Sequence, residues 1–154
     1  MATQPTIQTL TDPRFNDVVL WESFVGAGVP HSRDVVNVQL SSTTTLKQGS
    51  ILWRAKSKTA TATWDVVNDD TDVSTSNEYA ILIGDDLQVK ETVDFTSGVS
   101  KKAIAIVRTA HIKEGTSKTI TTGFGVTATE WNNLKRLLAV QDILVNDTYT
   151  AIAP

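Results

Sequence analysis

Ala80-Ile81-Leu82-Ile83 and Ala103-Ile104-Ala105-Ile106-Val107 are two short, uninterrupted apolar runs. Both have the length of a strand, and both draw heavily on isoleucine and valine. Continuous apolar character predicts strands covered on both faces, in contrast to the alternation of a half-exposed strand. These two runs are therefore expected at the centre of the core.

Working outward, the same Val-, Ile-, Thr- and Trp-rich texture recurs in pieces separated by polar turns, which predicts strands over 35–40, 50–55, 63–67, 78–83, 87–91, 102–109 and 117–121. Gly49 opens one of them. Gly84-Asp85-Asp86 reads as a turn between two others, and Thr96-Ser97-Gly98 precedes another. The run Asn68-Asp69-Asp70-Thr71-Asp72 has no apolar residue and is expected as a surface loop, and Ser41-Ser42-Thr43-Thr44-Thr45 as another.

Near the C-terminus the period changes. Thr127 stands three residues before Glu130, the spacing at which each side chain can satisfy an orphan donor at a helix start. Trp131, Leu134, Leu137 and Leu138 follow at three- and four-residue intervals, with Lys135, Arg136 and Gln141 between and beyond them. One helix over about 128–141 is predicted, its apolar face on the sheet, with a last short strand in 144–152. The fold class is thus mainly β with one C-terminal α-helix (α+β), a compact mixed-sheet or barrel-like domain.

Residues 1–30 differ. Large apolar residues, Ile7, Leu10, Phe15, Val18, Leu20, Trp21 and Phe24, are spread without a period among Thr, Gln, Pro and Asp. Pro5 and Pro13 disfavour helix at the residues before them, and Gly26-Ala27-Gly28-Val29-Pro30 is a break. This is an extended N-terminal arm ahead of a β-rich domain spanning 31–154. So many large apolar groups call for a surface to lie on, either the arm's own domain or a partner.

Composition excludes several classes. The 154 residues suit one domain, and 40% hydrophobic with 20% charged residues suffices for a packed core. Without cysteine there is no disulfide, thiolate metal site or cysteine nucleophile. A net charge of −3, with scattered Lys and Arg, argues against a nucleic-acid partner. No basic stretch followed by an apolar one opens the chain, and no run reaches membrane-spanning length, so neither a cleaved signal nor membrane insertion is expected.

Catalytic and metal chemistry find little support. His31 follows a proline in the arm, His111 ends an apolar strand, and neither has a neighbour at ligand spacing. Glu114 is the carboxylate nearest His111 in sequence, too little for a catalytic set. The acids at 69, 70 and 72 lack the glycine and the trailing glutamate of a calcium loop. Gly123-Phe124-Gly125 has spaced glycines but no βαβ unit around it. Trp21, Trp53, Trp64 and Trp131 are too dispersed to read as a sugar-stacking platform. No enzyme, metal or cofactor is expected.

The order of features from about residue 38 to 145 resembles the head decoration protein family of tailed phages, the group containing the phage lambda decoration protein. The resemblance is carried by Leu46-Lys47-Gln48-Gly49-Ser50-Ile51-Leu52, Asn77-Glu78-Tyr79-Ala80-Ile81-Leu82-Ile83 before an acidic turn, and Lys101-Lys102-Ala103-Ile104-Ala105-Ile106-Val107-Arg108-Thr109-Ala110 followed by Ile112 and Lys113. The capped helix with Leu134, Leu137 and Leu138, and Ile143 beyond it, completes the pattern over about two-thirds of the chain. These are packing patterns, matched in order and spacing.

The resemblance implies a structural virion protein on the outside of the mature phage head, made in the host cytoplasm. It would bind the major capsid protein as homotrimers at local threefold positions and stabilise the shell. The arm, with Ile7, Leu10, Phe15, Val18, Leu20, Trp21 and Phe24, would order against the capsid surface. Greater length, the arm itself and a largely polar 56–76 insertion depart from the lambda member, which leaves trimerisation and docking to be tested. Alternative readings are another phage structural protein, of the tail-tube or head-completion kind, or a β-sandwich glycan-binding adhesin.

Overall fold

The computed structural model describes residues 19–22, 24–25, 29–30, 32–57, 59, 62–113 and 126–146. Its centre is an antiparallel five-stranded sheet in the order β4-β10-β8-β6-β7, formed by β4 (Arg33–Val38), β6 (Ile51–Ala55), β7 (Asp65–Val66), β8 (Asn77–Asp85) and β10 (Lys101–Ile106). The two uninterrupted apolar runs are β8 and β10, side by side in the middle. The expectation of cover on both faces holds for β8, where Tyr79, Ala80, Ile81, Leu82 and Ile83 are all fully buried, and only in part for the second run, where Ala103, Ala105 and Ile106 are buried but Ile104 and Val107 are partly exposed.

Period-two alternation divides these residues between two cores. Tyr79, Ile81 and Ile83 of β8, with Ile106 of β10 and Ile51 of β6, face the first core. Ala80 and Leu82, with Ala103, Ala105 and Leu52, face the second. The central sheet is thus the partition of a three-layer domain.

The first core is closed by α1 (Ala128–Ala139) and a mixed three-stranded sheet in the order β1-β11-β12, made of β1 (Val19–Glu22), β11 (Ala110–Lys113) and β12 (Ile143–Asn146). In it β1 is antiparallel and β12 parallel to β11. The helix begins where the capping spacing predicts, at Thr127, whose side-chain oxygen accepts the Glu130 N–H. The reciprocal half of the box is replaced: the Glu130 carboxylate accepts from the Asn133 carboxamide instead. Such a cap stabilises by about 1 kcal/mol. Burial of Trp131, Leu134 and Leu138 at roughly 1.5–3 kcal/mol each outweighs it, so packing holds this 12-residue helix in place. The helix ends at Ala139, two residues short of the expected end, because Asp142 turns the chain left-handed (φ 59°) into β12.

The second core is capped by an antiparallel ribbon of β5 (Thr44–Lys47) and β9 (Thr92–Phe95), which drives Leu46, Val93 and Phe95 inward. Both ribbon strands correct the sequence reading. Thr44 and Thr45, expected in a loop, open β5, since Leu46 behind them has a core to cover. Residues 87–91, expected as a strand, form no named strand: Leu87 and Gln88 lie in a turn whose N–H groups the buried Asp85 carboxylate accepts, and Val89 makes an isolated antiparallel bridge to Gly84. The predicted strand 102–109 is also divided: β10 stops at Ile106, and Thr109 (φ 41°) redirects the chain into β11. The predicted strand at 117–121 lies outside the described residues.

The sheets are open along most of their length. The five-stranded sheet has its margins tied at one point. Trp64, just ahead of β7, donates its N–H to Asn37 C=O (2.7 Å) and accepts from Gln39 N–H (2.9 Å), a parallel bridge to β4 at Val38.

The extended arm does not run to residue 30 as a separate element. Val19 pairs with Ile112 and is buried in the first core, so β1 belongs to the domain. Residues 24–25 (β2) and 29–30 (β3) pair with each other. Of the two surfaces open to the arm, its own domain takes residues 19–22.

Candidate functional site

Just below the Trp64 bridge the seam between β4 and β7 is not closed, and it opens as a groove of about 280 Å³. Asp34 to Asn37 of β4 form one wall; Arg54, Trp64 and Glu78 face them, and Val107, Arg108 and Gln141 form the end. Register explains the assembly: Arg54 of β6 lies directly opposite Glu78 of β8, so the two side chains meet as a cross-strand ion pair. The Arg54 guanidinium also stacks over Trp64, 4.6 Å from the ring centroid. Across the groove Arg108 approaches Asp34 at 3.7 Å, both largely in solvent.

Gln141 supplies the floor. Its carboxamide accepts from Tyr79 N–H at 2.9 Å and donates to Tyr79 C=O at 2.8 Å and Val107 C=O at 3.1 Å. The groove therefore carries two cations and two anions, a stacked aromatic ring and a strand edge. Such a set offers hydrogen-bond donors and acceptors of both charges beside an aromatic face; a nucleophile with a base beside it is not among these residues.

The other residues singled out in the sequence are dispersed. Asp69 caps a short 3₁₀ turn, Asp70–Asp72, and Asp72 completes its capping box. Hydrogen bonds from Thr71 hold the Asp69 carboxyl below its ordinary value. Asp70 accepts the Thr127 N–H at 2.7 Å and so ties the acidic loop to the start of α1. Burial pushes the Asp65 carboxyl up, and burial likewise raises the Tyr79 hydroxyl, which donates to the Asp72 and Ser74 carbonyls. Among the described residues no group of three or more His, Asp or Glu could hold a metal ion, and no helix is long and apolar enough to cross a membrane.

His111 sits on β11, with Trp21 of β1 and Leu144 of β12 as its register partners. Glu114, His31 and the Gly123-Phe124-Gly125 bend lie outside the described residues. So do Ile7, Leu10, Phe15 and Val18 of the arm. Leu20 and Trp21 fall in β1 and Phe24 in β2. Of the tryptophans, Trp131 and Trp53 pack on the first core and Trp64 on the second.

Sequence reasoning missed the groove, because Asp34, Arg54, Trp64, Glu78, Arg108 and Gln141 share no motif. The available signal was the opposite charge of Arg54 and Glu78, which becomes visible once the pairing of β6 with β8 is known. No family model matches this chain, and neither curated proteins nor solved structures show a significant match.

Proposed function

We propose that this chain is a non-enzymatic head decoration (capsid cement) protein, binding the major capsid protein on the outside of a mature phage shell and stabilising it, as trimers at local threefold positions. The observation that carries the reading is the way the N-terminal segment joins the domain. Val19 is buried opposite Ile112 in the domain, and the sequence ahead of it includes Ile7, Leu10, Phe15 and Val18. A rigid body with an apolar leader suits attachment to a large surface.

Two further features support it. The ordered packing patterns between residues 38 and 145 resemble the decoration family, and the groove's charged side chains include two opposite-charge pairs, Arg54 with Glu78 and Arg108 with Asp34. The mechanism is mass action: a ligand that binds the mature shell and not its dissociated subunits stabilises the shell by its binding free energy at each site.

Co-sedimentation with expanded phage capsids lacking their decoration protein tests the proposal. Saturable binding by the full chain, lost when residues 1–18 are removed from a still-folded domain, is the expected result. No binding, together with rings or stacks in solution or with sugar-dependent association, would replace the proposal with a tail or adhesin role.

A further inference from the structure

We propose that the outer edge of β4, at Val35 and Asn37, is a strand-addition site that receives an extended segment of the shell protein, parallel to β4. The inference rests on the shell-binding reading above and adds where on the folded domain the contact is made.

β4 pairs with β10 without a bulge, so its residues present their backbone groups to β10 and to the outer edge in turn. Three hydrogen bonds show that the odd-numbered residues point outward: Asn37 C=O accepts from Trp64, Gln39 N–H donates to Trp64, and Val35 N–H is held by the Asp34 carboxylate at 2.8 Å. Val35 C=O and Asn37 N–H therefore also face the groove.

A parallel ladder continuing from Trp64 would use those two groups next. Ala62 would have to donate to Val35 C=O and accept from Asn37 N–H. Instead the Ala62 N–H turns back to Thr59 C=O at 2.8 Å. Among the described residues this leaves one acceptor and one donor unpaired across the edge, spaced to meet the N–H and C=O of a single residue of a parallel strand. A peptide backbone is the chemistry that fits.

The same geometry disfavours a second copy of β4 as the occupant. Antiparallel self-pairing about Val35 would need the Val35 N–H, which Asp34 already holds, whereas parallel addition does not use it. Val35 is 54% exposed and offers an apolar contact, while Asp34 and Arg108 flank the groove with opposite charges. β-Strand addition of this kind draws its affinity from main-chain hydrogen bonds.

The test compares Asn37→Pro with Asn37→Ala in the full chain, titrated against expanded capsids that lack their decoration protein. Proline removes the outward N–H and leaves intact both the β10 ladder, carried by residues 36 and 38, and the carbonyl that Trp64 uses. Asn37→Pro is expected to bind about tenfold more weakly than Asn37→Ala. Val35→Lys, which sets a charge on the exposed edge, gives a second variant in case proline perturbs the strand, with a loss in the same direction. Equal binding by all variants overturns the inference and leaves the shell-binding reading standing. Failure of the unaltered chain to bind overturns both. A synthetic peptide of residues 1–18 that binds the chain and is lost in Asn37→Pro would assign the edge to this protein's own N-terminal segment, and so overturn the assignment to the shell.

Discussion

Gln141 and Tyr79 are joined as though they were neighbours in a sheet: one side-chain carboxamide meets both the N–H and the C=O of Tyr79, at 2.9 and 2.8 Å. Tyr79 lies beyond the last β10 residue that pairs with β8, Ile106 with Ile81. Gln141, arriving from the end of α1, supplies the missing backbone partner and binds Val107 C=O as well. The helix is thereby tied to both central strands.

Replacing Gln141 with Ala should leave these buried backbone groups unpaired. A loss of about 1–3 kcal/mol is expected, read as a lower urea midpoint with an unchanged m-value. An unchanged midpoint would mean that water replaces the carboxamide.

Small residues set the spacing of the second core. Ala80, Ala103 and Ala105 are fully buried there beside Leu82 and Phe95. Ala105→Leu forces three extra carbon atoms into this layer and should cost about 1–3 kcal/mol or more by the same measurement. Val99→Leu, at an exposed position, should stay within about 0.5 kcal/mol.

Gly84 and Gly98 separate two reasons for glycine. A Cβ on Gly84 would lie 2.1 Å from the Gln88 carbonyl oxygen and 2.7 Å from Val89 Cα, so backbone must move. At Gly98 the space is open and the constraint is a φ of +70°. Gly84→Ala should therefore destabilise more than Gly98→Ala, whose strain is on the order of 1–2 kcal/mol. Thermal unfolding of both variants gives the ranking directly.

Asp85 should shape the acid limb of stability. The Lys90 ammonium beside it, with the Leu87 and Gln88 N–H groups, holds its carboxyl down to about 2 from an ordinary 3.8. A carboxyl depressed by folding contributes stability that is present above the unfolded value and lost as pH falls through the folded one. Unfolding free energy measured between about pH 4 and pH 2 should fall in the unaltered protein, and Asp85→Asn should flatten that decline. Parallel curves would assign the acid sensitivity to other carboxylates.

The sequence by itself determined those parts of this protein that depend on local period. Ala80 to Ile83 and Ala103 to Ile106 announced central strands because they are short, rich in β-branched residues and flanked by turn residues. Thr127, Trp131, Leu134 and Leu138 announced the helix because capping and a 3.6-residue period are local properties. Tertiary structure alone decided the rest. Thr44 and Thr45 became strand because Leu46 found a core to cover, and Leu87 and Gln88 became a turn because the Asp85 carboxylate gathered their N–H groups. Val19 left the arm for the domain because Ile112, more than ninety residues away, gave it a partner. The groove is the extreme case: Arg54 meets Glu78 through strand register, and among the described residues the edge of β4 below Trp64 lacks a partner because the Ala62 N–H turns back to Thr59. Register and edge are relations between distant segments, and no local pattern encodes them.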